Sequence, residues 1–564
     1  MENLSKEIEA EKIWEELLEG VNDKPKHKNP KKSGTKKLIE EIKEIARTNT
    51  EPTKVEFGTS GWRGTIGISH TIQNFIRVTE GLVEMVKTAD KNLLKEIGVR
   101  NFAEFQKRGI IVGRDNRLMG EEFAESVIGT LQRHNIKVYY AGMAPTPEYS
   151  AAVVQLNAAM SINITPSHNP ANYSGYKVNP ADGGPSGENI TKALEKCGNK
   201  FMNEIFEKPK VNWKKVKKIN TAKLYLKHIK KYIPHIIDIN KIKKYINSGE
   251  LSLAIDFMHG ATRERGEAFL NLSGKEPNVK LINTDDNILF HGVKPEPSAK
   301  NMIEVEKWLK KQKTKFKLGV LIDPDGDRIR FTNGITQVDM NNYGALAFYY
   351  LCDYKKLKGG VAKTIATSNF VNAIARGLKR ELFETKVGFK YFRDYLKPST
   401  PANKRVVCAF EESDGFSIGG ANILEKDAFA ALLLAIEIIR TTKTDLVEYL
   451  NNLKKEYGIY EAKKDAVEIL GDLTKEQKAE IIAKMDKTFK EGEVLKIDEK
   501  CSKKIIKKFS GDGVKLEFED RSNLLVRQSG TEPIIKVYAE SPISKEDCEI
   551  ILKFGVAITK KYFS

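Results

Sequence analysis

Two short stretches of the chain combine residue types that suit phosphoryl transfer. The stretch TPSHNP (165–170) presents the hydroxyl of Ser167 on a turn that two prolines stiffen. The stretch DPDGDR (323–328) places three carboxylates at alternate positions, followed by a guanidinium. A hydroxyl that carries a phosphoryl group needs a divalent cation, and three Asp oxygens could hold that cation. Together the two stretches predict a phosphoryl-transfer enzyme with a phosphorylated serine at position 167.

The acidic stretch has two other interpretations. An EF-hand loop also begins D-x-D-x-D, but it needs Gly at the sixth position and Glu at the twelfth, where this chain has Arg328 and Gly334. Calcium binding of that kind is therefore rejected. An aspartate-nucleophile phosphatase would use Asp323 for covalent chemistry and would leave Ser167 without a role. Three short carboxylates on one turn suit Mg²⁺, which prefers octahedral oxygen ligands.

Two further loops carry groups that bind phosphate. The stretch FGTSGWRG (57–64) has glycines that let backbone N–H groups approach an anion, and Arg63 can neutralise it. The stretch RQSGTEP (527–533) brings a guanidinium, two hydroxyls and a glycine together within five residues, and Lys536 adds charge on the strand that follows. Each loop alone is also typical of an ordinary polar turn, so neither decides the function by itself.

The stretch FEESDG (410–415) offers groups that could bind a sugar. Glu411 and Ser413 stand at i and i+2 and could bind adjacent hydroxyls of a sugar ring. Lys426 follows shortly after and could reach a phosphate. A solvated helix cap is the alternative for either patch.

The elements that must position these loops alternate between apolar runs and helical patterns. We predict a strand at 109–113, a helix at 121–135 and a strand at 137–141. Further strands are predicted at 161–164, 252–257, 317–322 and 360–367. The pattern indicates parallel sheets with helices on both faces, in which ligands bind at the carboxyl ends of the strands. The Ser167 and Asp323 loops both follow such strands.

The chain, at 564 residues, is too long for a single core. The predicted fold class is α/β, with three similar α/β domains that contain mixed or parallel sheets and a C-terminal α+β domain. The last domain is predicted to hold a helix at 475–489, strands at 514–518, 524–527 and 534–539, and a closing helix. The predicted segments are a helical extension at 1–50 with a linker at 23–34, then domains at 51–215, 216–335, 336–458 and 459–564.

Composition excludes several classes of protein. The net charge of +18 comes from lysines spread over the whole length, and no helix-turn-helix, zinc-finger or RNA-binding signature accompanies them. An anionic substrate is therefore favoured over nucleic acid. Five scattered cysteines fit a reducing cytoplasm and argue against disulfides and a zinc site. The charged N-terminus and the short apolar runs predict neither a signal peptide nor a membrane span.

These five loops follow one another along the chain as FGTSGWRG, TPSHNP, DPDGDR, FEES and RQSGTEP. In that order they resemble the α-D-phosphohexomutase family over about residues 51–560, and are most like its phosphoglucomutase/phosphomannomutase group. The resemblance implies four domains around a central cleft, each contributing one loop. The implied reaction is the interconversion of glucose 1-phosphate and glucose 6-phosphate through a phosphoserine enzyme. Glucose 1,6-bisphosphate is the implied intermediate and activator. The implied protein is a cytoplasmic monomer or homodimer that binds sugar phosphates and neither nucleic acid nor membranes.

The resemblance also assigns roles to single residues. It makes Ser167 the phosphoserine, and one Mg²⁺ per subunit is held by its oxygen with Asp323, Asp325 and Asp327. Lys177 is a candidate general acid/base, and His168 supports it. Arg63 and Arg328 are further implied catalytic residues, which surround the transferring phosphoryl group together with Lys177. The implied substrate contacts are Arg63, Arg328, Val387, Gly388, Glu411, Ser413, Lys426, Arg527, Ser529, Gly530, Thr531 and Lys536.

Substrate choice depends on the sugar loop. Glu-Glu-Ser at 411–413 resembles the glucose-preferring branch, whereas the mannose/glucose and glucosamine branches usually have Met or Gln in the middle. Asp414 and Phe410 depart from the usual family residues. Phosphomannomutase or dual phosphohexomutase activity is the first alternative. Phosphopentomutase and phosphoglucosamine mutase activities come after it.

Overall fold

The computed structural model describes residues 2–22, 32–58, 61–469, 473–511, 513–528 and 534–563. Their contacts divide the chain into two compact units. The first unit takes in the described residues of 1–338, 396–398 and 414–445, and the second those of 339–395, 399–413 and 446–564. The two units are described separately below.

The N-terminal extension forms two helices, α1 (Glu2–Asn22) and α2 (Lys32–Thr48), so α2 begins three residues before the predicted start. Residues 23–31 of the predicted linker lie outside the described residues. Trp14 of α1 is buried, and its Nε1 donates to Ile66 O at 2.9 Å. Arg47 of α2 makes a bidentate contact with Glu122, at 2.8 and 2.6 Å. Such contacts attach the extension to the domain that follows it.

The first sheet lies after the extension and has mixed strand directions. Its strands are β1 (Trp62–Thr65), β2 (Ile110–Arg114), β3 (Val138–Met143), β4 (Met160–Ile164), β5 (Tyr173–Pro180) and β6 (Val216–Lys218), in the order β1-β5-β4-β2-β3-β6. Its helices are α3 (Ile72–Thr88), α4 (Lys91–Ile97), α5 (Phe102–Arg108), α6 (Gly120–Arg133), α7 (Thr146–Leu156) and α8 (Glu188–Lys200). β4, β2, β3 and β6 run parallel, whereas β1 and β5 add an antiparallel edge. The predicted strands around 110, 138 and 161 are therefore confirmed to within two residues.

The second sheet belongs to the same unit and repeats this plan. Its strands are β7 (Leu251–Asp256), β8 (Val279–Ile282), β9 (Phe316–Ile322), β10 (Ile329–Thr332) and β11 (Gln337–Val338), in the order β11-β10-β9-β7-β8. Its helices are α9 (Thr221–Tyr232), α10 (Ile239–Asn247), α11 (Arg265–Leu270) and α12 (Ile303–Lys310). β9, β7 and β8 are parallel, and every residue of β7 is buried, which is typical of a strand covered on both sides.

The second unit begins with a parallel three-strand arrangement, β13-β12-β14. The elements of residues 339–457 are α13 (Met340–Tyr349), β12 (Gly360–Thr364), α14 (Phe370–Gly377), β13 (Leu382–Thr385), α15 (Arg393–Leu396), β14 (Val406–Glu411), β15 (Gly415–Ile418), α16 (Ala428–Thr442) and α17 (Leu446–Tyr457). β15 and α16 lie in the first unit. β12 ends at Thr364, three residues before the predicted end of that strand, because the chain turns at Ile365–Thr367.

The C-terminal sheet is antiparallel throughout, in the order β16-β21-β20-β19-β18-β17. Its elements are β16 (Glu461–Glu468), α18 (Lys475–Thr488), β17 (Val494–Lys496), β18 (Ser502–Ser510), β19 (Val514–Phe518), β20 (Asn523–Gln528), β21 (Ile534–Ser541) and α19 (Lys545–Phe563). The predicted α+β character and the elements at 475–541 are confirmed, and β16, β17 and β18 are additions to it. Among the described residues, no helix combines the length and apolar character that a membrane crossing needs.

Candidate active site

The Ser167 loop follows β4 and holds its serine in an uncommon conformation. Ser167 has a φ of +59°, a left-handed value that costs a non-glycine residue energy, and its side chain is buried. Its N–H donates to Thr165 Oγ1 at 3.0 Å, and that hydroxyl donates to Asp115 Oδ2 at 2.7 Å. The loop therefore fixes the direction of the serine hydroxyl through its own hydrogen bonds.

Arg117 clamps the same loop, although sequence reasoning missed it. Its guanidinium donates to the carbonyl oxygens of Ser167 at 2.8 Å and Asn169 at 2.5 Å, and also to that of Pro170. Asp115 Oδ2 accepts from Arg117 Nε at 3.2 Å. Both charged residues are buried. The sequence could have indicated Arg117, because the polar stretch 114–117 directly follows an apolar strand, in the same way as the Ser167 and Asp323 loops follow theirs.

The acidic loop follows β9 and makes a tight turn. Gly326 has a φ of +69°, and a Cβ there would lie 2.6 Å from Thr262 Cγ2, so only glycine fits. Asp323 Oδ1 accepts from the N–H groups of Asp327 at 3.0 Å and Arg328 at 2.9 Å. These bonds bring all three carboxylates into one buried cluster, with a ligand atom from each within 4.8 Å of the others.

The two loops meet at the serine. Ser167 Oγ donates to Asp323 Oδ2 at 2.8 Å. One oxygen each of Asp325 and Asp327, Oδ1 in both, is buried without a hydrogen-bond partner. Burial, reinforced by the charges of Asp325 and Asp327, raises the pKa of Asp323 well above its ordinary value. A divalent cation would satisfy the orphaned oxygens and relieve this repulsion, so the residues fit Mg²⁺.

Lys177 lies against the same carboxylates from β5. Its Nζ is 2.6 Å from Asp325 Oδ2 and 3.2 Å from Asp327 Oδ2. Burial opposes its charge, but the two carboxylates outweigh burial and raise the pKa of Lys177. Lys426 Nζ adds a second cation 3.3 Å from Asp327 Oδ2. Burial alone would raise the pKa of Asp327, but Lys426 and Lys177 hold it well below its usual range.

The other predicted groups of this unit surround the serine. Arg63 donates to Asn169 Oδ1 at 2.8 Å. Burial lowers the pKa of Arg63 to about 10, and the nearby charge of Arg328 contributes to this decrease. Burial also lowers the pKa of His168, and the charges of Arg328 and Arg63 lower it further. His168 is therefore neutral at physiological pH. The unit thus brings a hydroxyl, three carboxylates and several cations together.

The predicted sugar-binding residues lie in the second unit. Glu411 is the buried last residue of β14, and Ser413 is half-buried two residues beyond it. Val387 is half-buried, and Gly388 is buried with a φ of +130°. Glu412, which lies between Glu411 and Ser413, contacts the end of β12, because its Oε2 accepts from Thr364 Oγ1 at 3.0 Å. This contact indicates that Glu412 positions the loop that carries Glu411 and Ser413.

The predicted phosphate cradle is described only in part. Arg527 of β20 and Lys536 of β21 are directly opposite each other in the antiparallel register. Like charges in that position repel each other, which an anion between them would relieve. The Arg527 guanidinium lies 5.8 Å from the ring centre of Tyr538. The predicted contacts Ser529, Gly530 and Thr531 lie outside the described residues.

Comparison with protein-family models gives four matches along the chain. The phosphoglucomutase/phosphomannomutase alpha/beta/alpha domains I, II and III match residues 54–204, 223–333 and 339–457, and the C-terminal domain of that family matches 454–552. The chain belongs to this family. The resemblance and the four-domain α/β fold predicted from the sequence are therefore confirmed.

Relatives and solved structures agree with this assignment. A phosphoglucomutase from Komagataeibacter xylinus is 26% identical over 521 residues, 86% of this chain and 87% of the relative. A phosphoglucomutase/phosphomannomutase from Thermococcus kodakarensis is 27% identical, over 80% of this chain and 90% of the relative. The open form of Paramecium pp63/parafusin superposes with a TM-score of 0.69 at 21% identity, covering 91% of this chain and 96% of that one, and supports the fold alone.

Family membership makes this chain an isomerase of the phosphohexomutase type. Sugar phosphates are the substrates that the family implies. The family is metal-dependent, and the carboxylates of 323–327 provide an acidic group that could bind the metal.

Proposed function

We propose that this chain interconverts glucose 1-phosphate and glucose 6-phosphate, with a phosphoryl group on Ser167 as the shuttle. The observation that carries the proposal is the buried contact between Ser167 Oγ and Asp323 Oδ2 at 2.8 Å, beside two further carboxylates. A hydroxyl in that place, when esterified, would put its phosphoryl oxygens next to a cation site. The glucose-type residues of the 411–413 loop favour glucose as the sugar.

The metal would be held by Asp323, Asp325 and Asp327 with a phosphoserine oxygen. When bound, Mg²⁺ would offset part of the charge on the phosphoryl group and the three carboxylates. Arg63, Arg328 and Lys426 supply the additional positive charge that an anionic substrate needs in order to approach. Phosphoryl transfer depends mainly on such positioning and charge neutralisation.

Each transfer breaks one O–P bond and forms another. In the first transfer, the phosphoryl group leaves Ser167 Oγ for the 6-hydroxyl of glucose 1-phosphate, which makes the 1,6-bisphosphate. Lys177, which Asp325 and Asp327 keep protonated, gives its proton to the leaving serine oxygen and takes the proton of the sugar hydroxyl. In the second transfer, Ser167 Oγ loses its proton and takes the 1-phosphoryl group of the reoriented bisphosphate, while the sugar 1-oxygen gains a proton and glucose 6-phosphate is released. Neutral His168 supports Lys177 without adding charge.

The non-reacting phosphate would bind at Arg527 and Lys536, whose opposed positions on β20 and β21 form a doubly cationic surface. Glu411 and Ser413 would bind two adjacent sugar hydroxyls. In this proposal, separate groups of residues bind the reacting phosphate, the sugar ring and the phosphate that does not react.

A coupled assay on the full-length protein tests the proposal. The 1-phosphates of glucose, mannose, glucosamine and ribose are compared at equal concentrations, with Mg²⁺ and a trace of the matching bisphosphate. We expect the highest kcat/KM with glucose 1-phosphate, and peptide mass spectrometry should locate the phosphoryl group on Ser167. A higher kcat/KM with another sugar, or phosphate on Asp323 with release of inorganic phosphate, would contradict it.

The second candidate function is a dual glucose and mannose mutase. The name of the Thermococcus kodakarensis relative, which covers both activities, favours it. In the same assay, comparable kcat/KM values for glucose 1-phosphate and mannose 1-phosphate would support this alternative.

A further inference from the structure

Two histidines and an aspartate meet after the carboxyl ends of β7 and β8, and none of them belongs to the acidic loop 323–327. His259 Nδ1 lies 3.0 Å from Asp285 Oδ1, and His291 Nε2 lies 3.7 Å from Asp285 Oδ2. One ligand atom from each of the three lies within 4.8 Å of the others. Metal–ligand bonds of about 2.0–2.2 Å separate neighbouring ligand atoms by roughly 3–3.5 Å, so small movements would complete a coordination shell.

The three residues combine a fixed ligand with two accessible ones. The His259 side chain is 3% exposed, whereas those of Asp285 and His291 are 62% and 58% exposed. Asn283 Nδ2 donates to Asp256 Oδ1 at 2.9 Å and ties the starts of the two loops together. An ion could therefore enter from solvent onto a prearranged site.

We propose that His259, Asp285 and His291 bind one first-row transition-metal ion, such as Zn²⁺ or Co²⁺. Two imidazoles and one carboxylate suit such ions, whereas the all-oxygen set of Asp323, Asp325 and Asp327 suits Mg²⁺. The scattered cysteines do not form a zinc site, but histidines that the fold brings together can bind zinc without them. Metal binding here is independent of the proposed mutase reaction.

The position of this site gives it a structural consequence. One ligand loop packs on the acidic loop, where Ala261 N donates to Pro324 O at 2.7 Å. The other ligand loop places the Phe290 ring 4.9 Å from the guanidinium of Arg117, which clamps the Ser167 loop. A bound ion would hold both loops together. We therefore expect it to protect residues 257–263 and 283–292 from hydrogen exchange.

The test uses the full-length, chelator-treated protein in excess Mg²⁺. Co²⁺ is titrated by visible absorption and Zn²⁺ by calorimetry, and one ion per chain is expected for each. His291→Ala and Asp285→Asn, both at exposed side chains, should weaken binding by ~10-fold or more, the scale on which even outer ligand partners act. His235→Ala, which removes another exposed histidine, is the matched control and should bind like wild type.

Two results would overturn the proposal. The first is no saturable Co²⁺ or Zn²⁺ binding, or equal affinity in wild type, His291→Ala and Asp285→Asn. The second is loss of the transition-metal ion in Asp325→Asn with retention in His291→Ala, which would place the ion at the acidic loop. Circular dichroism of each variant checks that the fold is intact.

Discussion

Ser167 Oγ and Asp323 Oδ2 are hydrogen-bonded at 2.8 Å, although 156 residues separate them in the chain. The bond joins the turn after β4 of the first sheet to the turn after β9 of the second. A second link lies beside it, since Thr146 N donates to Asp325 O at 2.7 Å. The hydroxyl and the acidic loop are thus aligned with each other by bonds of the chain itself. Such preorganisation is what phosphoryl transfer requires.

Replacement of Ser167 by alanine should abolish mutase turnover while the protein stays folded. The change removes the proposed phosphoryl acceptor, so we expect kcat to fall by ~10³-fold or more, as when another enzyme loses its nucleophile. The measurement is the rate with glucose 1-phosphate and a trace of the bisphosphate. Ser186→Ala is the control, because Ser186 is also buried but its Oγ donates to a backbone oxygen, Val178 O, at 2.6 Å. Near-normal turnover of Ser167→Ala would refute the serine assignment.

Replacement of Asp325 by asparagine should weaken the response to Mg²⁺. The change removes one of three buried charges that would hold the cation. We expect the Mg²⁺ concentration for half-maximal activity to rise by ~10–100-fold. It is measured by titrating Mg²⁺ into chelator-treated enzyme. Asp465→Asn, at an exposed position of β16, should leave the Mg²⁺ response unchanged. An unaltered half-maximal concentration in Asp325→Asn would remove Asp325 from the proposed ligands.

The strands beside Ser167 and Asp323 could be predicted because each shows a recognisable apolar pattern and ends at a polar loop. β9 has the largely apolar sequence FKLGVLI, and β4 has the sequence MSINI, in which apolar residues alternate with polar ones. β16 has the sequence EAKKDAVE, and most of its residues are half-buried or exposed, so no apolar pattern marks it. β18 has the sequence SKKIIKKFS, in which lysine pairs interrupt the apolar pattern of a strand. β16 and β18 are strands because they pair with neighbouring strands, and the sequence does not show that pairing.

Candidate site residues could be predicted where a short motif of reactive side chains marks them, and were missed where a residue acts through backbone contacts. The three Asp residues can be recognised from their spacing in the sequence. Arg117 cannot be recognised in this way, because it contacts carbonyl oxygens that are 50 residues or more away in sequence. The link from Glu412 to Thr364 was missed for the same reason, since it depends on the register of β12 and β14.

Replacement of Arg117 by lysine should slow the reaction without greatly changing KM. An ammonium group cannot reproduce the fork that contacts the carbonyls of Ser167 and Asn169. A looser loop would misplace the serine, and a displacement of about 1 Å can cost ~10²-fold in rate. We expect kcat to fall ~10–100-fold and residues 165–170 to exchange amide hydrogens faster. Arg100→Lys, at an exposed arginine, is the control. Unchanged kcat and exchange would show that the clamp is dispensable.

Glu384 lies at the centre of a buried ionic cluster in the second unit. Its Oε1 accepts from Lys363 Nζ at 3.2 Å and from Lys515 Nζ at 2.5 Å. Lys363 is on β12 and Lys515 is on β19, so the cluster joins two sheets. Both lysines are buried, and Lys363 Nζ also donates to Thr367 O at 2.8 Å. Removing the carboxylate would leave two buried cations without the negative charge that they share.

Glu384→Gln should therefore destabilise the protein by ~3–5 kcal/mol at neutral pH, the usual cost of breaking a buried ion pair. Burial alone would raise the pKa of Glu384, but Lys363 and Lys515 lower it to about 2 from 4.5. Its stabilising contribution is thus complete above pH 4.5 and is lost as the pH falls towards 2. The difference in unfolding free energy between wild type and variant should shrink over that range. Urea unfolding at several pH values measures it, with exposed Glu381→Gln as the control. A pH-independent difference would contradict the ionic role of Glu384.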